Sequence, residues 1–153
     1  MVNQTTVSPE EYSRLVDATY SEFMDLSAKA EEAFTDAVIA IRDKKPIDLC
    51  RAIILKSIEE SSKASWFYIK RKHSDYEAFK PHDTATEIKF EELENRLQIE
   101  QVNINKEYTQ LLLLAKDHEL LSKVFEQYDR QQNRLFGRYR GETNTLLLKT
   151  LAR

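Results

Sequence analysis

The sequence predicts an all-α protein, an up-down-up-down four-helix bundle with long helices and a short C-terminal amphipathic extension. The chain of 153 residues contains only two Gly and three Pro, too few for the many tight turns of a β-sandwich or barrel. Apolar or small residues recur at steps of four and three from residue 8 to residue 45, which is typical of the seam of a helix packed on other helices. Charged residues make up 32% of the chain, as long solvated helix faces require.

The first helix has the clearest start signals in the chain. Ser8 is a typical N-cap, Pro9 suits the first helical position, and Glu11 completes a capping box. We therefore expect a flexible tail at 1–7 and a single helical-bundle domain at 8–153. The predicted seam consists of Tyr12, Val16, Thr19, Phe23, Leu26, Ala30, Ala33, Ala37 and Ile41.

A proline separates the first helix from the second. Lys44, Lys45 and Pro46 indicate the break, and the second helix is predicted from about Ile47 to Lys72. Its inward positions include Ser61 and Ser65 beside Ser62, which indicates either a pocket or, as we favour, a close helix crossing with the hydroxyls bonded to the preceding turn.

The segment from His73 to Asp83 is predicted to be a loop. Within it, a short helical turn is expected to place Tyr76 and Phe79 on the bundle. Its length is at the upper end for a helix connection, so it is a natural position for a functional loop.

The second half of the chain is predicted to be a helical hairpin. A capping box at Thr84–Glu87 begins the third helix, and Asp117 is a plausible cap for the fourth. The alternative, one helix from residue 84 to the end, is less favoured because a lone long helix needs a partner chain. The run from Leu111 to Leu114 predicts that this end is the most enclosed.

Two glutamines interrupt the apolar stripes of the third and fourth helices. Gln101 and Gln132 each stand midway along a stripe, and a buried glutamine must be hydrogen-bonded. The predicted inner stripe of the fourth helix is Leu121, Phe125, Tyr128, Gln132, Leu135 and Tyr139. Either the stripes open at these positions, or the two amides meet in the core and fix the register of the helices.

Charge alternates from helix to helix. The net charges are −6 for residues 1–43, +4 for 44–82, −4 for 83–118 and +3 for 119–153, within a total of −3. In a simple bundle every neighbouring pair then has opposite sign, which disfavours wrong neighbours although each exposed pair contributes little.

Arginines recur on the last helix. Arg130, Arg134 and Arg138 lie every fourth residue on one face, and Arg140 adds charge nearby. Such a stripe can bind phosphates or an acidic partner. The favoured interpretation is a solvated face in which Glu126 pairs with Arg130. A second basic cluster, Lys70–His73, follows three aromatic residues. Cations in such a position more often stabilise the negative end of a helix dipole than bind single-stranded bases.

The C-terminal segment from residue 143 is amphipathic and rich in leucine. As a hypothesis we treat it as a tail that docks a partner. Its leucines are Leu146, Leu147, Leu148 and Leu151.

No catalytic, cofactor or metal site is predicted. The glycines of phosphate and dinucleotide loops are absent, and no Glu has a His three residues later, as di-metal bundles require. Glu94 is expected to be exposed, the histidines to lie near helix ends or loops, and Cys50 to be an ordinary core residue. The single cysteine and the lack of a signal-like N-terminus or membrane-length apolar run favour the cytoplasm.

These features favour a non-enzymatic interaction or assembly protein that acts through helix faces on copies of itself or on a protein partner. The alternative is binding of nucleic acid or an anionic ligand through the arginine stripe, as in a packaging or coat assembly. A homo-oligomer or a protein partner is expected, nucleic acid is not favoured, and no membrane is expected.

Overall fold

The computed structural model describes residues 6–80 and 84–151, and these residues form four long helices and no strand. The helices are α1 (Pro9–Arg42), α2 (Ile47–Phe79), α3 (Thr84–Leu114) and α4 (His118–Leu151). They pack against each other as an all-α four-helix bundle, so the predicted fold class is confirmed. The predicted extension from residue 143 is the last part of α4.

Helix starts are set by the predicted caps. The Ser8 hydroxyl accepts a hydrogen bond from the backbone N–H of Glu11 at 3.2 Å. The Asp117 carboxylate accepts one from the backbone N–H of Leu120 at 2.8 Å. Residues 115–117 turn the chain between α3 and α4, and the predicted hairpin is confirmed. At the end of α1, Lys44 adopts a positive φ of 53°, a conformation that commonly stops a helix.

The second helix is longer than predicted. It continues through residues assigned to a loop and ends at Phe79, where the ring stacks on Tyr12 with centroids 4.6 Å apart. The prediction of a loop over 73–79 is wrong because His73 and Asp75 are buried with partners on other helices. The expected placement of Tyr76 and Phe79 on the bundle is confirmed. Residues 81–83 of that predicted loop lie outside the described residues.

The core follows the predicted stripes. Two apolar clusters occupy the two halves of the bundle, and every predicted inner position of α4 is buried. The α4 positions are Leu121, Phe125, Tyr128, Gln132, Leu135 and Tyr139.

The predicted enclosure at the end of α3 is wrong. Leu113 and Leu114 are 63% and 71% exposed, because the inward direction of the helix is already filled by Leu112 and Ala115.

The helices are not equally close to one another. α2 and α4 approach across the centre, whereas α1 and α3 do not meet in the part of the chain that the structure describes. Of the helix pairs in contact, α1 and α4 touch least. None of the described helices has an apolar stretch long enough to cross a membrane.

Candidate functional site

The α1–α4 side is the least closed seam of the bundle. Ion pairs join Arg71 to Glu22 between α1 and α2, and Arg96 to Glu142 between α3 and α4. Among residues 6–80 and 84–151, no ion pair joins α1 to α4. The expected electrostatic closure is therefore absent from this seam.

A groove of about 510 Å³ lies between α1 and α4. Its apolar lining comes from Phe34, Val38 and Ile41 on α1 and from Phe125 on α4. The Phe34 and Phe125 rings touch at its base, with centroids 4.9 Å apart. Val38 is 44% exposed, so the groove presents apolar surface to solvent.

The same face of α1 continues with apolar side chains toward the N-terminus. Tyr20 and Met24 are 53% and 48% exposed, and helical spacing places them in line with Val38. We call this surface, from Tyr20 to Ile41 on α1 and from Phe125 to Arg130 on α4, the α1–α4 face.

Charge on the α1–α4 face is divided between its two helices. All nine acidic residues of 1–43 are exposed. On α4, Arg130 lines the groove, whereas Arg134 lines a different groove, between α3 and α4. Asp129 also lines the groove, and burial raises the pKa of its carboxyl group.

The arginines of α4 do not form one uninterrupted cationic stripe. Arg130 lies 3.9 Å from Glu126, the pairing expected for a solvated face, and Arg138 pairs with Glu100 of α3. Arg140 lies over the Tyr68 ring at 5.0 Å. Arg134 has no ion-pair partner among the described residues. Two of the four predicted anion-binding side chains are therefore neutralised by neighbouring carboxylates.

The leucines of the predicted docking tail point in different directions. Leu147 is buried with Tyr76 and Phe90, and Leu146 packs beside them. Leu148 is 67% exposed. The side chain of Leu151 lies outside the described residues. The structure brings two of these leucines into the core rather than onto one outer surface.

The basic cluster at Lys70–His73 lies inside α2 and not at its end. Lys70 lies over Trp66 and Arg71 over Phe67, at 5.2 and 5.1 Å. Because these contacts join neighbouring turns of one helix, they occupy the aromatic faces that single-stranded bases would need. The expectation that these cations lie at the C-terminus of the helix and stabilise its dipole is wrong.

A buried polar layer crosses the middle of the bundle. The amides of Gln101 and Gln132 bond reciprocally at 2.7 and 3.0 Å, and Gln132 also donates to the Ser65 hydroxyl at 3.0 Å. Asn105 joins Gln101 to Ser62 through bonds of 3.0 Å. The two glutamines therefore meet in the core.

The serines of α2 bond to the preceding turn of the helix, as the favoured interpretation of the sequence predicts. The hydroxyls of Ser62 and Ser65 donate to the carbonyl oxygens of Ile58 and Ser61. They are satisfied within the helix and complete the polar layer rather than line a pocket.

A second polar cluster lies where α2 ends and α3 begins. His73 is 7% exposed, with Nδ1 2.7 Å from Glu94 Oε1 and Nε2 3.1 Å from Glu87 Oε2. Its ring stacks on Phe90, with centroids 4.4 Å apart and planes 8° from parallel. Burial lowers the pKa of His73, but hydrogen bonds and charge attraction from Glu94 and Glu87 outweigh burial and raise it overall.

Sequence reasoning missed this cluster. It placed His73 in a loop and Glu94 in solvent, whereas Glu94 has a side chain only 16% exposed. The available signal was spacing: His73 and Glu77 are four residues apart on α2, and Glu87 and Glu94 are seven apart on α3, so each pair lies on one helix face. His73, Glu77 and Glu87 offer ligand atoms that all lie within 4.8 Å of one another.

A third buried polar contact involves Asp75, two residues after His73. The Thr19 hydroxyl of α1 donates to the Asp75 carboxylate of α2. Burial raises the pKa of Asp75, while the Thr19 hydrogen bond and the nearby cations Arg71 and Lys72 oppose it. This contact holds the end of α2 against α1 and explains why the helix persists through polar residues.

No protein-family model, curated protein or solved structure matches this chain.

Proposed function

We propose that this protein is a non-enzymatic assembly protein that associates with a second copy of itself through the α1–α4 face. The observation that carries the proposal is the open seam between α1 and α4, with its apolar groove. Ion pairs cross the α1–α2 and α3–α4 seams, although the α3–α4 seam also contains grooves of about 540 and 390 Å³. At the α1–α4 groove Val38 presents apolar surface to solvent, which is typical of a surface that another molecule covers.

Charge on this face favours a second copy as the occupant. Residues 1–43 carry −6 and residues 119–153 carry +3, so the two helices differ in net charge, although the charged residues that line the groove itself are Arg42 on α1 and Glu126, Asp129 and Arg130 on α4. A two-fold axis parallel to the helices would bring α1 of each copy opposite α4 of the other, and the same patch would be used twice. Acid would then meet base at both contacts.

The heights of the charged residues are compatible with this arrangement. The ring pairs Phe34–Phe125 and Phe23–Phe136 set the relative heights of α1 and α4. Arg130 then lies close to the height of Glu31 and Glu32. A two-fold axis along the helices preserves these heights, so Arg130 of one copy would reach those carboxylates of the other.

The size of the face is compatible with a dimer interface. Residues 20–41 of α1 span roughly 33 Å, and two helices packed side by side are roughly 20 Å wide. The resulting area, on the order of 700 Å² per copy, is close to the roughly 800 Å² that a standard interface buries on each partner.

Sedimentation velocity on two matched variants tests the proposal. Val38→Asp places a charge in the groove, and Ile99→Asp places the same charge on the outer face of α3, where Ile99 is 61% exposed. We expect the wild type and I99D to sediment as dimers and V38D as a folded monomer. A monomeric wild type, or dimers that V38D leaves intact, would overturn the proposal, and a monomer would direct attention to a different protein partner.

The proposal includes a cytoplasmic location. Cys50 is a buried free thiol, which is consistent with a reducing environment such as the cytoplasm. Nucleic acid is a less favoured partner because Arg130 and Arg138 pair with glutamates, which reduces the positive charge available to phosphates.

A further inference from the structure

The polar cluster at the other end of the bundle has the composition of a metal site. His73 and Glu77 come from α2, and Glu87 comes from α3. We infer that these three residues bind a divalent transition metal ion, such as Zn²⁺ or Mn²⁺, with Glu94 as the residue that orients the histidine. This site is at the opposite end from the groove of the α1–α4 face and does not depend on the proposed self-association.

The distances fit a metal with little rearrangement. Ligands about 2.0–2.1 Å from a tetrahedral metal lie about 3.3 Å from each other, and His73 Nε2 is 3.1 Å from Glu87 Oε2. The third ligand atom, on Glu77, lies within 4.8 Å of both. Because Glu77 is exposed, its side chain can rotate by the short distance needed to complete the set.

The imidazole is held in the orientation that metal binding requires. Nδ1–H donates to Glu94 at 2.7 Å. Nε2 lies 3.1 Å from Glu87 Oε2 and donates to it in the metal-free protein, and a bound metal ion would replace that proton, which is released to solvent. This is the carboxylate–histidine–metal arrangement that fixes the tautomer and increases ligand basicity. Stacking on Phe90 fixes the plane of the ring, so little rotational freedom remains to be lost on binding.

The donor set indicates the class of metal. One imidazole nitrogen with two carboxylate oxygens suits intermediate ions such as Zn²⁺ and Mn²⁺ better than soft ions, which prefer thiolates. Two carboxylates balance the charge of a divalent ion. The exposed side of the cluster, at Glu77, leaves room for water as a further ligand.

A metal ion at this site would link the end of α2 to the start of α3. His73 and Glu77 lie near the end of α2, and Glu87 lies in the first turn of α3. A metal bound to all three would join these helix ends, and ligands that bind only the folded state raise its stability.

Metal-free full-length protein, prepared with a chelator, tests this inference by titration calorimetry with Zn²⁺ and, separately, Mn²⁺. We expect one ion to bind per chain and to raise the Tm. Glu94→Gln should weaken binding by about 10–100-fold because a neutral amide accepts the Nδ1–H bond more weakly than a carboxylate and no longer increases the basicity of the histidine. His73→Ala, Glu77→Gln and Glu87→Gln should each weaken binding by at least as much.

Glu91→Gln is the matched control. Glu91 is exposed on α3 between Glu87 and Glu94, so E91Q removes the same charge from the same helix and should leave the affinity unchanged. Glu77 is also exposed, so E77Q tests the site even if H73A fails to fold. Absence of saturable binding of both ions to the wild type would overturn the inference. Affinity that is unchanged in E77Q and E87Q would do the same, because it would show adventitious binding elsewhere.

Discussion

The buried pair Gln101–Gln132 predicts that two single substitutions harm the protein more than their combination does. In Gln132→Leu, Gln101 loses both the acceptor at 2.7 Å and the donor at 3.0 Å. Each buried polar group left unpaired costs about 1–3 kcal/mol, and the apolar surface gained by leucine offsets part of this cost. We therefore expect Q132L to lower the free energy of unfolding by about 1–3 kcal/mol.

The double variant removes the origin of that penalty. With leucine at both positions no amide is orphaned in the core. Asn105 is half-buried and Ser65 still donates to the Ser61 carbonyl, so both remain satisfied. Replacing both partners of a buried hydrogen bond by apolar groups is often nearly neutral, so we expect Q101L/Q132L to lie within about 1 kcal/mol of the wild type.

Urea unfolding followed by far-UV circular dichroism measures these differences. All variants are compared at one protein concentration, because self-association makes apparent stability concentration-dependent. Gln98→Leu, on the exposed face of α3, is the control and should change the free energy of unfolding by less than about 0.5 kcal/mol. If the double variant were destabilised by the sum of the single effects, the amides would not act as a pair and this reasoning would be refuted.

Three further predictions concern stability and reactivity. Gly137→Ala and Gly141→Ala should each stabilise the protein by about 0.5–1 kcal/mol in thermal unfolding, because an added Cβ meets no atom within 4 Å; a lower Tm would contradict this. Arg51 donates to the carbonyl oxygens of Leu112 and Ala115 at 3.0 and 2.5 Å, so Arg51→Ala should cost about 1.5–3 kcal/mol in urea unfolding, and Arg51→Lys should restore only part because a lysine lacks the forked donor. Cys50 is fully buried and burial raises the pKa of its thiol, so a thiol reagent should modify it slowly at neutral pH and rapidly in urea; fast labelling of the native protein would contradict the buried position.

The sequence was sufficient for the features that local rules determine. The caps at Ser8 and Asp117 and the inner stripe of α4 depend on residue type and helical period, and the structure has them as predicted. The meeting of Gln101 and Gln132 was left open because periodicity gives the face of each residue but not its height relative to another helix.

The errors came from residues whose state depends on distant partners. His73 and Asp75 resemble loop residues by composition, but Glu94 and Thr19 satisfy them inside the bundle, so α2 continues past the predicted end. Leu113 and Leu114 resemble core residues by hydrophobicity, but their directions on α3 point outward. The histidine–carboxylate cluster was missed because the Glu-x-x-His pattern lies on one helix, whereas this cluster joins residues of α2 and α3.

The proposed self-association is tested most directly by reversing charge on one helix of the α1–α4 face at a time. Glu31→Lys/Glu32→Lys makes α1 locally basic, and Arg130→Glu makes α4 locally acidic beside Glu126 and Asp129. Within either variant alone, both contacts across the two-fold axis would join like charges. In a mixture, each reversed helix would meet an opposite charge in the other variant.

Sedimentation of the two variants, alone and mixed in equal amounts, is the deciding measurement. The proposal predicts two monomers that form a dimer only when mixed, with one molecule of each variant in every dimer. Dimers of either variant alone, or a mixture that stays monomeric while the wild type is dimeric, would contradict the pairing of α1 with α4 of the second copy.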